Sequence, residues 1–359
     1  MKKFNILLID ENFNIGGGVR TILDSLIENS KFINYYYWNL SKKDYKMEDI
    51  KLTTIHSVLA KFTYTKYMKI IIPFYTIFNF FKLKDKIDLI YVHQPYSLFL
   101  GFVISKIYNK KLVYHCHGLS GEAQYNKLNI LYKYFIKNVE NIIVISKYVE
   151  NQIVCVNQKA YIQLIYNGLH VNRDNKITKI EKEYDFIFVG RINRFKDPYS
   201  FINVLQKNNN FSKAILVGKI ESESYFFDLK NIIDTDERFE YLGTQEYKST
   251  QKLIAKSKYI IVPSNWGEPF GMVVLEAFKN RTLVIARRDG GLSEIIKNGY
   301  DGFLYDSNEE LLSILNDLEK ATYDNIVNNA YEKLIHKYSN QNIKLENKLY
   351  EIMSGAYNE

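Results

Sequence analysis

The chain has 359 residues, of which 47% are hydrophobic and 25% are charged. Both fractions are typical of globular proteins, so the composition excludes a disordered chain, and the length allows two domains with a core each. The two cysteines, Cys116 and Cys155, are too few for a disulfide framework or a cysteine metal cluster, and they suit a reducing cytosol. Met1-Lys2-Lys3 leads directly into the short apolar run Phe4–Ile9, which predicts a first strand rather than a signal peptide.

The positive charge is concentrated in the first half of the chain, although the net charge of the whole is only +8. Residues 1–180 contain 25 Lys and Arg against 13 Asp and Glu, a net charge of +12, whereas the remainder contains 23 against 27, a net charge of −4. This asymmetry predicts that the first half meets an anionic partner. The lysines are scattered and no nucleic-acid-binding motif is found, so an anionic membrane surface is favoured over nucleic acid.

A glycine-rich loop follows the first predicted strand. Gly16-Gly17-Gly18 lies between that strand, which ends at Asp10, and a set of apolar residues at helical spacing. Strand, glycine loop and helix form a unit in which the backbone can approach a phosphate closely. The loop lacks the G-x-G-x-x-G fingerprint of dinucleotide-binding proteins, and a tight turn without a ligand is the alternative interpretation.

The segment 66–84 is the most apolar stretch of the first half. Its apolar run is too short to span a bilayer, which takes about 20 residues, and Pro73 interrupts or starts a helix. Two interpretations stay open: a helix packed inside the first domain, or an interfacial helix whose aromatic face enters a membrane. In the second case Lys82, Lys84 and Lys86 would meet lipid phosphates.

Two histidines stand at the end of a strand predicted to begin at Leu112. The sequence His115-Cys116-His117 offers three metal-binding side chains in a row. Successive side chains of an extended chain point to opposite sides, so these three cannot all face one ion, and no metal site is predicted. His115 and His117 are expected to point the same way, with His115 lying deeper.

Strand-like apolar runs alternate with helical spacing through the first 170 residues. This alternation predicts a parallel, doubly wound sheet with helices on both faces. The polar and charged segment 171–184 predicts an interdomain linker, and a strand at Phe186–Val189 opens a second domain.

The strand at Phe186–Val189 delivers Gly190 and Arg191 to an expected ligand crevice, because ligands bind at the carboxyl ends of strands in doubly wound sheets. Lys196 follows five residues after the arginine. Arginine offers a planar fork and lysine a point charge, so the two can neutralise a ligand that carries two phosphates. Two unrelated surface cations are the weaker alternative.

The run from Pro263 to Glu276, PSNWGEPFGMVVLE, predicts the main ligand site of the second domain. It follows a short buried strand, passes through a loop that contains Gly and Pro, and opens a helix near Met272. A helix N-terminus behind a buried strand is a binding site for phosphate. Glu268 in the loop and Glu276 in the helix would instead accept hydrogen bonds from sugar hydroxyls. Phosphates together with hydroxyls indicate a sugar nucleotide.

The sequence EPFGMVVLE resembles the E-x7-E signature of retaining glycosyltransferases, family 4 in particular. Segments that usually follow this signature are present in order: a buried strand, then Gly290-Gly291-Leu292-Ser293-Glu294, then the turn from Asn298 to Leu304. Upstream, GRINRFKDP at residues 190–198 resembles the G-R-x4-K motif of the same family. The resemblance covers the second domain well and the first domain loosely.

This resemblance implies an α/β chain with the GT-B fold, in which two Rossmann-like, doubly wound domains face each other across a cleft. An N-terminal acceptor-binding domain would take residues 1–178 and a nucleotide-sugar-binding domain residues 179–338. A C-terminal helix in residues 339–359 would cross back to the first domain. The implied reaction is retaining transfer of a sugar from a UDP- or GDP-sugar to a glycan or polyprenyl-linked acceptor, without a metal ion or a cofactor.

The basic first half and the Lys-flanked apolar segment favour a role in bacterial surface polysaccharide biosynthesis, such as O-antigen, capsule or lipopolysaccharide. The expected location is the cytoplasm, with peripheral contact at the cytoplasmic face of the inner membrane.

The resemblance also assigns roles to individual residues. Arg191 and Lys196 would neutralise the leaving diphosphate, where charge develops. Glu268 would hold the hydroxyls of the donor sugar, and His117 would lie near its reacting carbon, which completes the expected catalytic set. The other residues expected to bind the donor are Gly17, Gly18, Gly190, Phe270, Gly271, Met272, Val273 and Glu276, the last through the ribose hydroxyls.

Four positions depart from the family pattern. His170 stands where aspartate is usual, Asp197 and Arg281 stand where glycine is usual, and Leu283 stands where proline is usual. Two other functions use the same fold: a catalytically silent GT-B partner or glycan-binding protein that supports another transferase, and a nucleotide-sugar epimerase. A silent partner usually loses the phosphate cations or one glutamate, whereas this chain keeps all four. E-x7-E is not the mark of the epimerases.

Overall fold

The computed structural model describes residues 3–10, 23, 26–27, 30, 32–39, 52–56, 77–78, 80–119, 130–171, 180–208, 210–318 and 323–355. Contacts divide the chain into two compact units, Met1–Gly168 with Asn340–Glu359, and Leu169–Ser339. Gly17, Gly18, most of the segment 66–84 and residues 172–179 lie outside the described residues. The domain boundaries predicted at 178 and 338 stay predictions.

The first unit is built on a parallel sheet with the strand order β3-β2-β1-β4-β5-β6-β7. Its strands are β1 Phe4–Asp10, β2 Ile33–Asn39, β3 Leu52–His56, β4 Leu89–Val92, β5 Lys111–Cys116, β6 Asn141–Val144 and β7 Tyr161–Leu164. Its described helices are α1 Pro95–Tyr108, α2 Ile130–Asn138, α3 Lys147–Val154 and the C-terminal helix Gln341–Ser354.

The central strands of this sheet are buried along their length, which explains their continuous apolar sequences. All four residues of β4 are buried, and so are Ile6 to Ile9 of β1. Strands of parallel sheets are covered by helices on both faces, so alternate residues need not be polar. The chain order reverses between β1 and β4, and such a switch point places ligands at the carboxyl ends of the adjoining strands.

The C-terminal helix Gln341–Ser354 packs against the β1–β2 side of the first unit. The carboxylate of Glu346 accepts hydrogen bonds from the Ser30 hydroxyl at 2.8 Å and from the Phe32 N–H at 3.1 Å. The ring of Tyr350 lies edge-on to that of Phe4, with 5.2 Å between centroids. These contacts explain why the last residues of the chain belong to the unit that contains the first.

The second unit is built on a parallel sheet with the strand order β10-β9-β8-β11-β12-β13. Its strands are β8 Tyr184–Val189, β9 Ala214–Val217, β10 Phe239–Tyr241, β11 Ser257–Val262, β12 Leu283–Arg287 and β13 Phe303–Tyr305. Its described helices are α4 Pro198–Gln206, α5 Glu223–Thr235, α6 Tyr247–Ala255, α7 Met272–Lys279, α8 Leu292–Ile295, α9 Asn308–Asp317 and α10 Tyr323–Lys333, followed by a π-helical turn at Leu334–Tyr338.

The order of this second sheet reverses between β8 and β11, so its ligand crevice is expected at the carboxyl ends of these two strands. The segment 190–196 leaves β8 there, and the segment 263–271 leaves β11 there. Fully buried residues such as Phe201 and Ile285 pack in one continuous core beneath them. The prediction of two Rossmann-like, doubly wound domains is confirmed.

Among the described residues, no helix combines the length and the apolar character needed to cross a membrane.

Candidate functional site

Two glycines bring the ends of β8 and β9 close together. The N–H of Gly190 donates to the Val217 carbonyl at 2.9 Å, and a Cβ added to Gly218 would lie only 1.7 Å from the Gly190 carbonyl oxygen. Gly218 also has φ +151°, a backbone conformation that residues other than glycine rarely adopt. Backbone therefore meets backbone at the start of the loop that carries the predicted cations.

Arg191 is exposed and paired with a carboxylate of its own unit. Its guanidinium donates to both oxygens of Glu221, at 3.1 and 3.3 Å. The side-chain amide of Asn193 donates to the same carboxylate at 2.7 Å. With about half of its side chain open to solvent, Arg191 can turn toward an anionic ligand.

Lys196 is placed by a turn that Asn193 closes. The buried amide oxygen of Asn193 accepts hydrogen bonds from the N–H groups of Phe195 at 3.1 Å and Lys196 at 2.9 Å. An asparagine that bonds to the backbone ahead of it mimics a backbone turn and fixes the loop. The ammonium of Lys196 consequently points to the carboxyl end of β11.

The structure brings Lys196 into direct contact with Glu268, 72 residues further along the chain. Both side chains are largely out of water, with 19% of Lys196 and 9% of Glu268 exposed. The indole N–H of Trp266 donates to the same Glu268 oxygen at 3.2 Å, and its ring lies 5.8 Å from the Lys196 ammonium. A cation and a carboxylate thus share one partly desolvated position where β8 and β11 end.

Asp197 stands where glycine is usual in the family, and its contacts show how the loop accommodates it. Its φ is +48°, in the left-handed region that glycine favours and that aspartate tolerates better than most residues. Its carboxylate caps α4 and accepts four hydrogen bonds, at 2.5 to 3.4 Å. The donors are the N–H and hydroxyl of Ser200, the Tyr225 hydroxyl and the Asn265 amide. These contacts offset the absence of glycine and hold the residue next to Lys196.

The backbone of Glu268 packs closely against the backbone of Gly290 and Gly291. The N–H of Gly291 donates to the Glu268 carbonyl at 2.7 Å. A Cβ added to Gly290 would lie 2.4 Å from that carbonyl oxygen, and one added to Gly291 would lie 2.3 Å from the Pro269 oxygen. The Gly-Gly pair therefore allows the close approach of two backbones that positions Glu268.

The predicted helix start is confirmed at α7. Gly271, with φ +91°, stands at its N-cap and supplies no capping side chain. The first N–H groups of an α-helix have no acceptor within the helix, so those of Met272 and Val273 suit an anion. Phe270 is only 2% exposed and packs against Tyr338, so it could reach a ligand only through its backbone.

Glu276 lies in the second turn of α7 and is half-buried. Burial raises the pKa of its carboxyl to about 7, and the Gln251 amide and Lys279 oppose this rise. Burial and the charge of Glu276 together raise the pKa of the nearby Tyr247 to about 12. The charge on Glu276 is therefore poised to change near neutral pH.

In the first unit, His117 belongs to a cluster of three histidines where β4 and β5 end. The Nδ1 atom of His93 lies 2.9 Å from Nε2 of His117, and the Tyr91 hydroxyl lies 2.6 Å from Nδ1 of His115. The His115 and His117 rings have centroids 4.4 Å apart. Burial lowers the pKa of all three imidazoles, that of His117 to about 4, so the rings are neutral at pH 7.

His93 was missed from the sequence, although strand register could have found it. In the β4–β5 pair, Val92 is opposite Tyr114. His93, which follows the end of β4, therefore lies beside His115, the next residue of β5. The predicted catalytic residues are thus divided: His117 lies in the first unit, and Arg191, Lys196 and Glu268 lie in the second.

Two protein-family models match successive parts of the chain. The model "Glycosyltransferase Family 4" matches residues 41–173, and the model "Glycosyl transferases group 1" matches residues 172–333. The uncharacterized glycosyltransferase MJ1178 of Methanocaldococcus jannaschii is 32% identical over 317 residues, which cover 84% of this chain and 86% of that protein.

A second relative carries a more specific name. UDP-Gal:alpha-D-GlcNAc-diphosphoundecaprenol alpha-1,3-galactosyltransferase of Escherichia coli is 23% identical over 328 residues, 82% of each chain. Among solved structures, Anabaena HepE in complex with UDP and glucose superposes with a TM-score of 0.77 at 19% identity, covering 98% of this chain and 100% of that one. At this identity the likeness shows the fold.

We predict that Gly290→Ala destabilises the protein more than Gly299→Ala does. Both glycines have positive φ, +52° and +73°, so alanine at either position costs about 1–2 kcal/mol of backbone strain. Of the two, only Gly290 faces the Glu268 backbone, whereas no atom of the described residues lies within 4 Å of a Cβ at Gly299. The overpacking at Gly290 should add about 1–3 kcal/mol to the loss in free energy of unfolding, measured with urea. Equal losses in the two variants would contradict this account of the Gly-Gly pair.

Proposed function

Because the chain belongs to the GT-B glycosyltransferases, we propose that it transfers a sugar from a UDP- or GDP-sugar to a glycan or polyprenyl-linked acceptor, with retention of the anomeric configuration. The observation that carries this proposal is the contact between Lys196 and Glu268. It joins a cation suited to a diphosphate with a carboxylate suited to sugar hydroxyls, the two recognition elements that a nucleotide sugar requires.

Donor binding replaces one partner of this pair. A phosphate oxygen of the donor takes over the Lys196 ammonium, and the Glu268 oxygens become free to accept hydrogen bonds from hydroxyls of the sugar. Because only 19% of the Lys196 side chain is exposed, its attraction to phosphate is screened less than that of a surface lysine. Arg191 supplies the second cation after leaving Glu221.

The proposed chemistry is a same-face substitution at the anomeric carbon. The bond from that carbon to the phosphate oxygen breaks, and its electron pair goes to the diphosphate, where Arg191, Lys196 and the first N–H groups of α7 stabilise the charge. The acceptor oxygen forms the new bond on the same face and gives its proton to the departing phosphate. His117 is proposed to lie near the reacting carbon. The cations do the work of a divalent metal at the diphosphate, so the proposed transfer needs no metal ion and no cofactor.

The proposed acceptor is a polyprenyl-linked glycan at the cytoplasmic face of a bacterial inner membrane. The E. coli relative is named for a diphosphoundecaprenol substrate. In this chain Phe78 and Phe81 are 67% and 56% exposed, and Lys82 and Lys84 lie over their rings. Exposed aromatic rings next to lysines suit the interface of an anionic membrane. A role in surface polysaccharide biosynthesis accords with both observations.

The anomeric configuration of the product tests the proposed reaction. The protein is incubated with UDP- and GDP-sugars and a polyprenyl diphosphate-linked acceptor, and the product is analysed by NMR. We expect the configuration of the donor to be kept, and Lys196→Ala to lower kcat about 10²–10³-fold because it removes a charge contact to the leaving group. A product with inverted configuration would refute the retaining reaction.

Nucleotide binding should depend on the protonation of Glu276. With a pKa of about 7, its carboxyl is mostly protonated at pH 6 and mostly charged at pH 8, and the charged form is the stronger acceptor for the two ribose hydroxyls. We expect UDP affinity, measured by calorimetry, to rise about tenfold from pH 6 to pH 8 through this group alone.

The matched control for this measurement is Glu276→Gln, which does not titrate. UDP itself titrates near pH 6, and that contribution is common to both proteins. An identical pH profile in wild type and Glu276→Gln would exclude Glu276 from ribose binding.

A further inference from the structure

The three histidines where β4 and β5 end form a cluster that the proposed transfer does not use as a unit. Each of His93, His115 and His117 offers a ring nitrogen, and these three atoms lie within 4.8 Å of one another. His115 and His117 are two residues apart on an extended chain and face the same side. The third imidazole comes from the neighbouring strand, where His93 follows Val92.

The spacing of these nitrogens is close to that of ligands on one ion. In a tetrahedral zinc site with Zn–N distances of about 2.0–2.1 Å, two ligand nitrogens are about 3.3 Å apart. His93 Nδ1 and His117 Nε2 are already 2.9 Å apart. The nitrogen that His115 offers lies within 4.8 Å of those offered by the other two rings.

One ring nitrogen of His115 is available to bind an ion, and the other is hydrogen-bonded to a neighbouring side chain. Its Nε2 atom is buried and has no hydrogen-bond partner in the described structure. Its Nδ1 atom is bonded to the buried Tyr91 hydroxyl at 2.6 Å, which fixes the ring. Metal-bound histidines are commonly oriented in this way, with the second nitrogen bonded to a neighbouring polar group.

We propose that His93, His115 and His117 form a binding site for a transition-metal ion of the Zn²⁺ class. Three imidazoles without a carboxylate suit Zn²⁺, Co²⁺, Ni²⁺ or Cu²⁺, whereas Mg²⁺ and Ca²⁺ prefer oxygen ligands. Such a site has three protein ligands and one open position. Any effect of the ion on the transfer, through the role proposed for His117, rests on the proposed function, whereas the binding itself does not.

The test is a titration of the full chain, free of any histidine tag and treated with a chelator, with Co²⁺ and then Zn²⁺. We expect one equivalent of Co²⁺ to give the visible absorption of a four-coordinate site, Zn²⁺ to remove that absorption, and excess Mg²⁺ to leave it unchanged. His93→Gln and His117→Gln should each weaken Co²⁺ binding more than tenfold, and Tyr91→Phe, which removes only the contact to His115, about tenfold.

The matched control is His336→Gln, because His336 is 73% exposed and lies outside the cluster. It should bind Co²⁺ as the wild type does. Far-UV circular dichroism of each variant without metal shows that the fold is kept. His117 is half-buried and Tyr91→Phe keeps the ring, so these two changes test the site even if His93→Gln does not fold. Absence of saturable binding at one equivalent, or equal binding by wild type, His117→Gln and Tyr91→Phe, would overturn the proposal.

Discussion

The contact between Lys196 and Glu268 is the interaction on which the second unit's candidate site depends. The two side chains come from the loops after β8 and β11, the strands between which the sheet changes direction. Taking two charges out of water is unfavourable unless each keeps a partner, so both loops must be held firmly. Asn193 and Asp197 fix one loop, and the Gly290-Gly291 pair fixes the other. If a diphosphate competes for Lys196 as proposed, the loops that carry the two charges are already held in place, and the exchange of partners is confined to side chains.

Much of this arrangement could be predicted from the sequence because burial in a parallel sheet leaves a strong pattern. β8 and β11 are short apolar runs followed by polar loops, and the carboxyl ends of neighbouring parallel strands meet at one edge. The sequence pattern thus placed Lys196 and Glu268 each in a loop that faces a ligand, and the resemblance to the glycosyltransferases joined them in one donor site. β8 begins at Tyr184, two residues earlier than expected, because Tyr184 pairs with Ser257 of β11. The sequence around Tyr184 does not indicate this partner.

Other features depend on contacts that a single segment does not contain. The left-handed backbone of Asp197 is stabilised by Tyr225 and Asn265, which lie 28 and 68 residues away. The raised pKa of Glu276 depends on how helices α6 and α7 bury it. His93 lies beside His115 only through the register of β4 and β5, so a sequence argument about three consecutive residues did not include it. The same topology thus carries a cation–carboxylate pair in one unit and three neutral imidazoles in the other.

The most direct test of the central claim is thermal unfolding of the wild type with UDP and with GDP, repeated for Lys196→Ala. A ligand at about 100 times its dissociation constant stabilises by about 2.7 kcal/mol, which raises Tm by about 5–10 °C for a unit of this size. Lys213→Ala, which removes an exposed lysine paired with Glu240 in the same unit, is the matched control. We expect one nucleotide to raise Tm in the wild type and in Lys213→Ala but not in Lys196→Ala. No shift with either nucleotide, or an undiminished shift in Lys196→Ala, would contradict the assignment of the Lys196–Glu268 position as the donor site.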